Sequence, residues 1–273
     1  MNLDYEVLDV FTDTALTGNP LAVFTDAAAL SADQMQAIAR EMSLSETVFV
    51  LPPEDDTATA RVRIFTPRAE LPFAGHPVLG AALTLAEGDS TRLETGAGMI
   101  TVELDRERGY GEMEQPQPTT EPFDRPNELL AALGLRGDSE LPIIAYRNGP
   151  LHVYVAVKDD STVSRLEPDM AVLSRLDSCC VSCFALAPDS LNVKTRVFCP
   201  ALGVPEDPAT GSAAGPLALH LTRHDRLKPG QLIEISQGEE IARPSKLYAR
   251  IEDDRVFVGG AAVKVAHGTL TLP

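Results

Sequence analysis

The chain has 273 residues, 44% hydrophobic and 23% charged, the composition of a globular protein of one large or two small domains rather than a disordered chain. Asp and Glu number 40 against 23 Lys and Arg, for a formal net charge of -17, which argues against nucleic acid or an anionic membrane as partner, since both are bound through basic patches. No apolar run approaches the ~18 residues of a membrane-spanning helix, and the opening MNLDYEVLDVF lacks the basic and apolar regions of a secretory leader, so a cytoplasmic protein is expected.

In chain order, Tyr5–Phe11 predicts a strand, followed by a Gly18-Asn19-Pro20 turn and a short strand over Leu21–Phe24. Ser31 is placed to cap a helix whose apolar face is Met35, Ile38, Ala39 and Met42. Thr47–Leu51 and Arg61–Phe65 are alternating or β-branched and predict strands. From Pro77 to Glu87 the chain is apolar nearly all round, which predicts a helix buried on every side. Pro77 suits its first turn and Gly88 its C′ position. Gly111 to Glu128, rich in proline and acid, reads as the crossing between two halves of the chain. Beyond it, Phe184–Ala187 and Thr195–Phe198 predict strands, and GSAAGPLALHL from Gly211 opens a second all-round apolar helix.

The second half therefore repeats the first. Arg63-Ile64-Phe65-Thr66-Pro67 parallels Arg196-Val197-Phe198-Cys199-Pro200, Pro72-Phe73-Ala74-Gly75 lies opposite Pro208-Ala209-Thr210-Gly211, and His76 opposite Ser212. A repeat of this period means two copies of one domain, each a sheet curled around a central helix. Cys180 and Cys183 form a C-x-x-C, yet no second pair and no histidine at ligand spacing accompanies it. CCVSCFALA, Cys179 to Ala187, reads as a buried strand in which a thiol serves as a small hydrophobe. Disulfides are not expected for a cytoplasmic chain, Cys199 included.

Both repeat turns run straight into helices. The first N–H groups of a helix are unsatisfied and carry positive partial charge, and two such ends facing one cleft suit a carboxylate. Gly75, Gly211, Ser212 and Ala213 would let the backbone approach a ligand; tight helix packing alone would use the same glycines. His76 precedes Pro77, which pushes it out of the α region and displays its ring at the helix entrance. A neutral imidazole there can donate a proton or a hydrogen bond, or simply cap the helix. Asp207, before Pro208, alone reads as a turn cap. Glu46 stands at the mouth of an apolar strand, where burial would raise its pKa toward what a general acid/base needs, although a solvated Glu is the ordinary outcome. His152, His220, His224 and His267 join no constellation. The sequence has no phosphate loop, dinucleotide fingerprint, H-E-x-x-H or G-x-S-x-G elbow.

DVFTDTALTGNPLAVF (Asp9 to Phe24), REMSLSETVFVLPP (Arg40 to Pro53), RIFTPRAELPFAGHPVLGAA (Arg63 to Ala82) and EDPATGSAAGPLALHL (Glu206 to Leu221) together resemble the phenazine-biosynthesis PhzF-like family of the diaminopimelate epimerase superfamily, in the family's order and over most of the chain. YRNGPLHVYV (Tyr146 to Val155), QGEEIARPSKLYAR (Gln237 to Arg250) and RPNELLAALGLRG (Arg125 to Gly137) are similar to its phenazine-pathway branch.

The resemblance implies an α/β (α+β) fold of two pseudo-symmetric domains, each a curved sheet wrapped around a central helix, with the active site between them. It implies residues 1–118 as the first domain, rejoined by a C-terminal strand over 261–273, and residues 119–260 as the second. The epimerase branch exchanges protons through two cysteines, but neither turn here carries one, so cysteine-pair racemisation is disfavoured. The family's catalytic positions match Glu46, His76 and Asp207, with Ser212, Gly75 and Gly211 toward the substrate. The implied activity is the isomerisation of trans-2,3-dihydro-3-hydroxyanthranilate. In it, a glutamate at the position of Glu46 carries a proton from ring C3 to C1 on one face. No metal and no organic cofactor are implied, and the partners implied are a small-molecule substrate and a second copy in a homodimer. An isomerase or epimerase of another small amino or hydroxy acid would use the same residues. A non-catalytic small-molecule-binding protein on the same scaffold is a third reading, against which the intact Glu46, His76 and Asp207 set argues.

Overall fold

The computed structural model describes residues 1–176, 179–188 and 190–272. The first half of the chain forms β1 (Asn2–Val10), β2 (Asn19–Phe24), α1 (Ala32–Met42), β3 (Glu46–Leu51), β4 (Ala60–Phe65), β5 (Glu70–Leu71), α2 (Gly75–Thr84), β6 (Ser90–Thr95), β7 (Gly98–Asp105) and β8 (Tyr110–Gln115). The second half continues with β9 (Thr119–Glu121), α3 (Pro126–Ala132), β10 (Ile144–Arg147), β11 (Leu151–Ala156), α4 (Asp160–Ser164), α5 (Met170–Leu173), β12 (Cys180–Leu186) and β13 (Asn192–Cys199). It ends with β14 (Val204–Asp207), α6 (Gly211–Arg223), β15 (Ile233–Gln237), β16 (Ser245–Glu252) and β17 (Arg255–Thr271).

Strands β1, β2, β3, β4, β6, β7 and β8 pair in that succession, and β17 bridges β8 back to β1, closing a ring. The all-round apolar α2 fills it, buried from Gly75 to Ala82. In the second half β9, β10, β11, β12, β13, β15, β16 and β17 pair in order around α6, which is buried from Gly211 to Leu221. The two curled sheets and two central helices are thus those expected. They are joined, however, into one hydrogen-bonded network of seventeen strands, with β17 shared by both halves.

The repeat extends to side chains. Arg63 makes a two-pronged contact with Glu70 (2.7 and 2.6 Å) and lies 5.2 Å over the Phe65 ring. Arg196 does the same with Glu206 (both 2.8 Å) and Phe198 (5.0 Å). Ser31 caps α1 in a capping box with Gln34, and Met35, Ile38 and Ala39 are its buried face, as the spacing predicts.

Two local expectations are corrected and one is sharpened. Helix α2 ends at Thr84, and Gly88 keeps an ordinary φ, because Leu85 caps the helix through its N–H to Ala81 without a left-handed residue. Gly111 to Glu128 does cross from one half to the other, but it carries regular structure on both sides of the crossing. Gly111–Gln115 belongs to β8, and a break follows where Pro116 and Pro118 cannot donate to a ladder, before β9 resumes pairing. Finally, Cys180 and Cys199 are joined as a disulfide. The β12/β13 register sets Val181 against Phe198, so the next residues, Cys180 and Cys199, meet with Cα atoms 4.3 Å apart. Among the described residues, no helix is long and apolar enough to cross a membrane.

Candidate active site

The two central helices meet end to end at their N-termini. A Cβ on Gly75 would fall 2.6 Å from the Gly211 carbonyl carbon, and one on Gly211 would fall 3.0 Å from Gly75 Cα. The glycines therefore serve first to let the two helix ends touch, and only their backbone N–H groups remain to face a ligand.

Around this contact the structure gathers Glu46 from β3, His76 from the first turn of α2, Asp207 from the end of β14 and Ser212 from the first turn of α6. His76 is buried, not displayed at the surface, and burial holds its pKa down to about 3, so the ring is neutral. Asn19 Nδ2, whose two protons go to Asp207 Oδ1 and the Ala209 carbonyl at 2.9 Å each, faces His76 Nδ1 at 3.3 Å and cannot accept from it. A proton on Nδ1 would point at a donor, which leaves the ring proton on Nε2, 3.5 Å from Glu46 Oε2. The Glu46 side chain is 14% exposed, and its Oε2 has no hydrogen-bond partner among the described residues. Burial, and then the neighbouring Asp207 carboxyl, raise the Glu46 pKa well above the usual carboxylate value.

Asp207 is the better-solvated partner in hydrogen-bond terms. It accepts from Asn19 Nδ2 (2.9 Å), Ser45 Oγ (3.0 Å) and Thr210 Oγ1 (2.6 Å). These bonds oppose its desolvation, and its pKa rises to about 6. Two carboxyls and a neutral imidazole that differ in proton affinity can hold and pass one proton, the requirement for acid/base chemistry near neutrality.

Several participants lie outside the predicted set. Asn19, buried, bridges the halves by donating also to the Ala209 carbonyl at 2.9 Å. Gly18, at φ +66, shapes the turn that delivers it, and a Cβ there would meet Val10 O at 2.5 Å. His152, which shows no constellation in the sequence, lies with Nε2 3.0 Å from Ser212 Oγ. Gln237 donates to the Asp207 carbonyl (2.7 Å) and Thr210 Oγ1 (2.9 Å). The only forewarning was that Asn19, His152 and Gln237 sit inside the stretches that carry the family resemblance.

A cavity of about 20 Å³ lies among these groups, walled by Glu46, Thr66, His152, Asp207 and Ser212 and by the Cys180–Cys199 pair. A broader hollow of about 800 Å³, lined by Thr12, Asp105, Arg108, Tyr110, Lys246 and Tyr248 among others, contains none of Glu46, His76 and Asp207. The narrow cavity is the one at the titratable groups. Cys183 is buried and its thiol pKa is pushed up by desolvation, which makes it inert.

Residues 8–268 match the family of phenazine biosynthesis-like proteins. The chain is 53% identical to the trans-2,3-dihydro-3-hydroxyanthranilate isomerase of Pseudomonas aeruginosa, covering 97% of this chain and 98% of that relative. It is 50% identical to the protein of the same name from Pseudomonas chlororaphis, over 98% and 99%. Among solved structures, a predicted epimerase from Pseudomonas aeruginosa aligns with TM-score 0.85 and 33% identity over 99% of this chain and all of that one. A Bacillus anthracis phenazine biosynthesis protein of the PhzF family aligns with TM-score 0.84 and 26% identity over the full length of both. A hydroxyproline epimerase from Agrobacterium vitis, at TM-score 0.70 and 12% identity over 98% of this chain and 92% of that one, shares the fold. With two helix-filled curled sheets, a buried cluster of titratable groups where the helices meet, and a match over nearly its whole length, this chain belongs to the phenazine biosynthesis-like PhzF family.

Proposed function

We propose that this chain is a cofactor-independent isomerase of trans-2,3-dihydro-3-hydroxyanthranilate, acting in phenazine biosynthesis, with Glu46, His76 and Asp207 as its catalytic residues. The observation that carries the reading is the unpartnered Glu46 carboxyl oxygen, raised in pKa and facing the proton on neutral His76. The two relatives bearing that activity in their names, at 53% and 50% identity, support the substrate.

Ionised Glu46 takes the proton as the C3–H bond breaks, the ring double bonds shift, and the same carboxylic acid returns the proton to C1 on the same face. One carboxylate on one face suffices. His76 and Asp207 hold the substrate amino and hydroxyl groups and assist the enol's conversion to the aminoketone. The N-termini of α2 and α6, with Ser212 and the backbone at Gly75 and Gly211, receive the substrate carboxylate. The reading also carries the division into residues 1–118 with 261–273 and residues 119–260, a cytoplasmic location, and a homodimer, the last supported by family resemblance and testable by light scattering.

The test is to incubate the protein with the dihydro-hydroxyanthranilate in heavy water and follow its ultraviolet spectrum and deuterium uptake at C1. Spectral change with sub-stoichiometric uptake at C1 is the expected result. No spectral change and no binding would overturn the proposal in favour of another small acid as substrate.

A further inference from the structure

One buried histidine has no part in this proton transfer. His152 lies on β11 with its side chain toward α6, in the row that also sends Tyr154 to the helix, and it is fully buried. Its Nε2 is 3.0 Å from Ser212 Oγ, while Nδ1 is buried with no hydrogen-bond partner among the described residues. Burial holds the ring's pKa down to about 3, so it carries one proton, on one of the two nitrogens.

The two placements of that proton differ in consequence. A proton on Nδ1 would bury an unpaired N–H and make Nε2 accept the serine's only proton. A proton on Nε2 leaves only a lone pair unpaired, the less costly orphan. It then donates to Oγ and leaves the Ser212 hydroxyl proton free to turn into the cavity that both residues line.

The rest of the turn is held just as firmly. Pro216 has no N–H to give the Ser212 carbonyl four residues earlier, and Asn148 Nδ2 donates to that carbonyl instead, at 3.1 Å. Asn148 also donates to Gln115 Oε1 (2.8 Å), Gln115 Nε2 to the Gly211 carbonyl (2.9 Å), and the Tyr154 hydroxyl to the Ala213 carbonyl (2.7 Å). Three successive carbonyls and the serine side chain are thus each tied by a side chain from the surrounding strands or, for Asn148, from the turn between β10 and β11.

We propose that His152 is a positioning residue: its Nε2–H fixes the Ser212 hydroxyl as a donor into the cavity, so that Ser212 and the N-terminus of α6 select a substrate carboxylate. This rests on the isomerase reading for the identity of the substrate. A serine held as donor favours an acceptor without protons of its own, and the helix end adds positive potential. The contact is made equally in ground and transition states, so its loss raises KM more than it lowers kcat.

The test uses 3-hydroxyanthranilate and 2-aminophenol, which differ only in the carboxylate, as calorimetric ligands of the intact protein. His152→Leu should weaken 3-hydroxyanthranilate by roughly 10- to 100-fold, the range of one hydrogen bond to a charged group, and leave 2-aminophenol unchanged. His152→Gln, which keeps an N–H at similar reach, should restore most of the loss. In Ser212→Ala, adding His152→Leu should cost nothing further. Nitrogen NMR of the wild type should find the His152 proton on Nε2, a readout that stands even where His152→Leu fails to fold. A proton on Nδ1, equal weakening of both ligands, or additive effects with Ser212→Ala would overturn the proposal. Wild-type turnover of the dihydro-hydroxyanthranilate with unchanged carboxylate preference in His152→Leu would sink this inference alone. Carboxylate preference lost in His152→Leu, with no turnover by the wild type, would sink the isomerase reading and support the role of His152.

Discussion

In the proposed reaction the chemistry at Glu46 reduces to one movable proton. Glu46→Gln keeps the size and hydrogen-bonding capacity of the side chain but cannot shuttle the proton. Substrate affinity should change by less than about threefold, while single-turnover rate falls by at least the roughly 10²-fold of a lost general acid/base. The pH dependence has a definite sign. In the proposed mechanism the carboxylate form starts the reaction, and burial and Asp207 both raise the Glu46 pKa. The acid limb of kcat/KM should therefore lie well above the ordinary carboxylate value. Asp207→Asn removes one of the two causes, so that limb should move to lower pH even as the rate falls. Stability should report the same group: a carboxyl with a raised folded pKa loses stabilisation as pH climbs from its unfolded value through its folded one. Glu46→Gln should thus melt higher than the wild type at neutral and alkaline pH, by a few degrees at about 2–4 °C per kcal/mol. The two curves should merge below the ordinary carboxylate pKa.

Helices and strands set the distances on which those groups depend. The α2 and α6 ends touch through two glycines; a Cβ on Gly75 would meet only the backbone of Gly211 and Ser212, and one on Gly211 would meet the Phe11 ring edge at 2.9 Å as well as the backbone of Gly75 and His76. Gly75→Ala should cost about 1–3 kcal/mol, the range of overpacking, and should lower turnover more than its stability loss explains, because it drives His76 away from Ser212. Differential scanning calorimetry beside steady-state rates separates the two effects. The Cys180–Cys199 link joins the start of β12 to the end of β13 across a sequence separation of 19. Replacing both cysteines by serine should cost roughly 3 kcal/mol on the chain-entropy account and lower the melting temperature by several degrees. Turnover of the folded protein should survive within a few-fold, since no sulfur is needed for the proton transfer.

Over the whole molecule the site is assembled from segments far apart in sequence, and it is nearly closed. Its cavity of about 20 Å³ holds about one water, against the roughly 150 Å³ that takes up a benzene ring, so the walls must part to admit a ring. Hydrogen exchange should detect that opening. Amides from Val204 to Ala214, along the cavity's edge, should exchange faster than those in the middle of β13, and 3-hydroxyanthranilate should slow them. Unchanged exchange at saturating ligand would show that the ligand binds elsewhere.

What the sequence determined alone is what short-range pattern determines. The Ser31 cap, the strands over Thr47–Leu51 and Arg61–Phe65, and two all-round apolar helices were legible because capping and burial periodicity act within a few residues. The repeat added that one sheet-and-helix unit occurs twice. The repeat also pointed to the two turns that carry His76 and Ser212, but grouping them with Glu46 and Asp207 came from family resemblance, since each residue alone reads as an ordinary cap or surface residue. Tertiary structure decided the rest, because register and contact across the halves are long-range. Whether Cys180 faces Cys199 depends on which β12 residue pairs with which β13 residue. Nothing local to Asn19 or His152 tells that one will reach Asp207, 188 positions away, or the other Ser212, 60 positions on. The proton affinity of Glu46 depends equally on the fold, since it comes from the walls that bury it and from the carboxyl that the second half sets beside it.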